Sequence, residues 1–146
     1  KIATTHEIVC HTWSHRRLAS TLTTDELNRE IPQAKRRLEA ELGRKVQTFC
    51  WVGGEEFTYS QGAASAIAEA GFQYGFMSNN HVIRPGTDRL QLQRTNIEAR
   101  NPSKIVRFQL SGVVDLLYWP KRRRVNQITR VRVGSAALPN AKQGPL

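Results

Sequence analysis

Leu27, Ile31, Ala34, Leu38 and Leu42 recur at a three-or-four-residue spacing, which places them on one face of a helix and leaves the charged residues between them on the other. Just upstream, Thr23-Thr24-Asp25-Glu26 has the form of a capping box, in which hydroxyl and carboxylate satisfy each other's free backbone N–H groups. The pattern predicts a helix from about Thr24 to Leu42 with Gly43 as its stop. Pro32 lies inside it, removes one backbone donor and crowds the carbonyl of Asn28, so a kink or broken turn is expected there.

Elsewhere the period is shorter. Glu7 to Cys10 reads as a short buried strand, with His11-Thr12-Trp13-Ser14-His15 at its end or in the turn beyond. Val46 to Val52 reads as a second strand running into Gly53-Gly54, and Phe72 to Met77 as a third. Between them, Gln61 to Ala70 is an alanine-rich helix closed by Gly71. A loop with Asn79, Asn80, Pro85 and Gly86 follows, and the segments Leu90 to Ile97 and Ile105 to Trp119 carry no decisive period. Strand, helix, strand, helix, strand implies an α/β fold with parallel pairing and helices packed outside.

Composition changes this picture at the C-terminal end. Of the net +10, residues 1–120 contribute 15 Lys/Arg against 12 Asp/Glu, whereas residues 121–146 contribute 7 against none. Lys121, Arg122, Arg123, Arg124, Arg130 and Arg132 therefore read as a basic terminal arm in solvent beyond a domain of residues 1–120. The longest apolar candidate, Leu110 to Trp119, is about half of what a membrane helix needs and contains Asp115. Cys10 and Cys50 form no Cys-x-x-Cys pair and sit in apolar surroundings, which suggests buried free thiols. A start at Lys1 without an initiator methionine suggests a processed, trimmed or incomplete chain.

The sharpest chemical signal is His11 and His15. Four positions apart, they would lie one turn apart on the same side of a helical turn and could share a metal. Surface or packing histidines share that spacing, so the pair alone does not decide. A zinc-protease motif is excluded, because it needs Glu after the first His and Thr12 stands there.

The whole run His6-Glu7-Ile8-Val9-Cys10-His11-Thr12-Trp13-Ser14-His15 resembles the His-Glu-Ile-Gly-Asn-His-Thr-x-Ser-His stretch of polysaccharide deacetylases, the NodB-homology enzymes. The aromatic strand Phe49-Cys50-Trp51, Ala70-Gly71-Phe72-Gln73-Tyr74-Gly75-Phe76, Arg84-Pro85-Gly86, Arg94 and Phe108-Gln109-Leu110-Ser111-Gly112 follow in an order that resembles a bacterial branch linked to exopolysaccharide and envelope sugars. The resemblance spans roughly residues 5–119.

It implies part of a distorted (β/α) barrel and hydrolysis of N-acetyl, or O-acetyl, groups on a polysaccharide. It also implies a divalent metal, usually zinc, on His11 and His15, with the Thr12 hydroxyl helping to hold the loop. The family's aspartates come from an upstream Thr-Phe-Asp-Asp-Gly motif that this sequence does not contain, so an incomplete catalytic domain lacking the first strand and helix is expected. Such a fragment should expose a sheet edge and apolar surface.

Arg94 is a candidate for orienting an active-site carboxylate, and Trp13 and Trp51 for lining a sugar groove by stacking. The family's arginine-proline loop is replaced by Trp51-Val52-Gly53-Gly54, and His81 does not match its late histidine. Bacterial envelope or cytoplasm both remain open as the setting. Two other readings compete: a noncatalytic carbohydrate-binding relative, and a nucleic-acid-binding module using the basic arm, which few aromatics accompany.

Overall fold

The computed structural model describes residues 2–131. The predicted amphipathic helix is present as three continuous pieces: α2 (Thr24–Asn28), a π turn (Arg29–Gln33) and α3 (Ala34–Leu42). Its start is the capping box, with the Glu26 N–H donating to Thr23 Oγ1 and the Thr23 N–H donating to the Glu26 carboxylate. It ends at Gly43, whose left-handed φ of 64° costs glycine nothing. Pro32 falls in the π turn, where the wider winding accommodates its ring and missing donor.

A short α1 (Ile2–Thr5) opens the described chain. Three strands follow the kinked helix: β1 (Thr48–Cys50), β2 (Tyr74–Met77) after α4 (Gln61–Glu69), and β3 (Leu92–Gln93). They pair in the order β1-β2-β3, all parallel, with Phe49 beside Gly75 and Phe76 beside Leu92. The α/β class and parallel pairing expected from the element order hold. Gly75 is required by packing: a Cβ there would lie 2.5 Å from the Leu90 carbonyl oxygen, where the 3₁₀ turn Arg89–Gln91 crosses the sheet.

The first strand contracts to a single bridge. Only Cys10 pairs, parallel to Phe49, through the Cys10 N–H to the Thr48 carbonyl and the Cys50 N–H to the Cys10 carbonyl. Val9 is exposed, so Glu7 to Cys10 is not the buried strand expected. The second and third strands are likewise shorter than predicted; Gln73, just before β2, and Tyr74, its first residue, both donate to the Gln47 carbonyl.

Phe49 lies at the centre of the core, edge-on to Phe72 at 5.3 Å and to Trp51 at 6.1 Å, surrounded by Leu18, Ile31, Ile67, Met77 and Val125. The segment without a clear period folds as α5 (Ser103–Leu110) and α6 (Val113–Leu117), followed by α7 (Trp119–Ile128).

Helix α7 corrects the reading of a solvated arm. Val125 is in the core, and Arg122 is buried, donating to the carbonyls of Asn79, Asn80 and Asp115. Arg124 forks onto Glu56, and the boundary placed at residue 120 falls inside this helix. Composition alone hid this, since Val125, Arg122 and Thr129 are spaced to share one face and each has a partner to bury against. Residues 132–146, including Arg132, lie outside the described residues.

Candidate metal and hydrolysis site

In parallel α/β sheets, functional groups gather beyond the carboxyl ends of the strands. Here those ends deliver His11 to His15 after Cys10, Trp51 to Gly54 after β1, Ser78 to Asn80 after β2, and Arg94 after β3.

The histidine pair does not ride on a helical turn. Residues 11–15 form a loop in which Thr12 (φ 63°) and His15 (φ 60°) are left-handed, and this double reversal brings the two rings together. For non-glycine residues such conformations cost about 1–3 kcal/mol each and need outside support. Glu30 supplies it. Only 3% exposed, its carboxylate accepts the Trp13 and Ser14 N–H groups and the Ser14 hydroxyl at 2.7–3.0 Å, while its carbonyl accepts the Trp13 N–H as well. Thr12 Oγ1, expected to hold the loop, is buried without a hydrogen-bond partner among the described residues; Ser14 and Glu30 do that work.

Glu30 is the loop-supporting residue that sequence reading missed. It belongs to the π turn around Pro32, and the kink aims its carboxylate under the histidine loop. The proline inside an otherwise regular helical pattern was the available signal.

The imidazole rings of His11 and His15 are 5.0 Å apart at 69°. Two imidazoles sharing a tetrahedral ion, with bonds of about 2.0–2.1 Å, would have centroids about 5 Å apart, the separation seen between these rings. His11 Nδ1 lies 2.7 Å from the Cys50 carbonyl oxygen. Because a carbonyl only accepts, Nδ1 carries the proton and Nε2 keeps its lone pair for a ligand, the usual arrangement behind a metal-binding histidine. Among the described residues, no group of three or more His, Cys, Asp or Glu could hold an ion.

Arg94 reaches the same strand end, its Nη2 3.9 Å from Cys50 Sγ, and pairs with no carboxylate among the described residues. Burial pushes the neighbouring Cys10 thiol up to about 11, so it stays a neutral packing group.

Trp13 and Trp51 part company. Trp13 is 45% exposed and lines, with Cys10, His11 and Thr12, a cleft of about 460 Å³ against α3. Trp51 is 2% exposed, tilted on Tyr59 at 5.1 Å inside the core. It cannot stack on a sugar, which corrects its assignment to a groove wall; its indole is packed edge-on to Phe49 and tilted on Tyr59. A larger groove of about 630 Å³ lies between α4 and the kinked helix, and no histidine lines it.

Residues 2–75, just over half of the chain, match the family model described as polysaccharide deacetylase. That span holds the histidine loop, the kinked helix with Glu30, β1 and α4; Arg94 lies beyond it. No curated protein and no solved structure matches the chain.

Proposed function

We propose, because this chain belongs to the polysaccharide deacetylase family, that its histidine loop is part of a metal-dependent centre removing acetyl groups from a polysaccharide. The observation carrying this reading is the facing pair His11 and His15, with His11 Nδ1 committed to the Cys50 carbonyl. A divalent ion, zinc by the family resemblance, would be held by these two imidazoles and would supply Lewis-acid polarisation of the acyl carbonyl.

The chain's own residues set up that chemistry. The Cys50 carbonyl fixes the His11 tautomer, and Glu30 holds the left-handed loop that turns His15 toward it. Exposed Trp13 offers an aromatic face beside the pair for a pyranose ring, and the guanidinium of Arg94 is available to orient a carboxylate. In the family the third ligand and the general base are aspartates of a Thr-Phe-Asp-Asp-Gly motif that this sequence does not contain, so the two histidines are proposed as part of the centre only, with the small parallel sheet as part of a distorted (β/α) barrel. N-acetyl groups are the favoured substrate and O-acetyl groups the second, on a bacterial envelope or exopolysaccharide polymer.

Zinc titration followed by the histidine ring resonances tests the site directly. We expect His11 and His15 to shift together while His6 and His81 do not, and the response to vanish in His11→Ala/His15→Ala. Unresponsive His11 and His15 would remove the metal centre. Metal-dependent acetate release from an acetylated polysaccharide by the full-length protein separates an enzyme from a carbohydrate-binding relative.

A further inference from the structure

Helix α5 buries none of its residues, although Ile105 and Phe108 put an apolar stripe along it. It packs against α6, where Leu116 and Leu117 are 76% and 68% exposed, and α6 leads into α7 with Trp119 and its neighbour Tyr118 at the junction. Eight residues of helix are too few to be stable alone in water, and beyond α6 the described residues leave this apolar stripe uncovered.

Charge decides which surface. Between residues 99 and 131 the sole acidic residue is Asp115, and it sits beside His81. Lys104, Arg107 and Arg123 flank the apolar positions without a carboxylate partner among the described residues, and the Arg123 guanidinium lies 5.7 Å from the Trp119 ring centroid. A second copy would set cations against cations, and a phosphate backbone would leave the leucines facing polar oxygens. Exposed leucines, an aromatic pair at the polar boundary and free cations together match the headgroup region of an anionic bilayer.

We infer that the α5–α7 face docks on an anionic lipid surface, lying in its interface; no described helix is long and apolar enough to cross a membrane. This attachment uses none of the histidine site's residues, so either reading can fail alone.

Flotation with phosphatidylcholine vesicles, with and without roughly one third phosphatidylglycerol, tests it. We expect binding only to the anionic vesicles, weakened by salt. Leu116→Ser/Leu117→Ser should weaken it by about tenfold or more with no change in melting temperature, since both side chains are already in solvent. Lys104→Glu/Arg107→Glu should weaken it through charge and serves if the first variant misfolds. Absence of binding to anionic vesicles, equal binding by both variants, or a light-scattering dimer that the leucine substitutions dissolve would each overturn the proposal.

Discussion

The two histidines illustrate how a residue type acquires a role from its surroundings. His11 has its Nδ1 proton fixed by a single carbonyl, that of Cys50, which lies 39 positions along the chain. Cys10, one residue before His11, is set in the opposite sense: burial holds its thiol neutral and raises it from 9.0 to about 11. Between those values the folded protein keeps a proton that the unfolded chain has released. Stability should therefore fall as pH rises above about 9, flattening beyond about 11, with a total loss of about 2–3 kcal/mol at ~1.4 kcal/mol per pH unit. Urea denaturation at about pH 8 and about pH 11 on wild type and Cys10→Ala measures this; Tyr59, also raised by burial, contributes equally to both. Equal pH sensitivity in the two proteins would refute the assignment.

Among the elements, the kinked helix links fold to site most directly. Its ends follow local rules, a capping box and a left-handed glycine, and both were legible in the sequence. Its middle was legible only as a disturbance at Pro32. What the disturbance accomplishes depends on a loop that precedes the helix by many residues, and no local pattern encodes that meeting. Glu30→Gln should cost about 2 kcal/mol, because a charged acceptor for three donors becomes an amide whose NH₂ opposes them. The same variant should blunt the zinc response of the His11 and His15 resonances, a readout that a generally weakened helix would not move. Retention of both wild-type stability and wild-type response would show that the loop holds itself.

For the whole molecule, the decisive element is α7. Arg122 ties it to the carbonyls of Asn79, Asn80 and Asp115, and Val125 fills the core beside Phe49 and Met77. Burial pulls the Arg122 pKa down, but three carbonyl acceptors keep the cation satisfied. Arg122→Met should lower stability by about 2–3 kcal/mol in calorimetry, since those three acceptors lose their donor. Melting unchanged from wild type would restore the picture of a solvated arm from residue 121. The sequence alone determined whatever depends on near neighbours: the amphipathic period of the long helix, its caps, the alternation of strands and helices that makes pairing parallel, and the histidine run whose resemblance pointed to the family. Tertiary structure alone decided the burial of Trp51, the exposure of Trp13, the incorporation of Arg122 into the core, and the service of Glu30 to a loop sixteen residues upstream. Hydrogen bonds and desolvation act between groups that are close in space, and only the folded chain sets which groups those are.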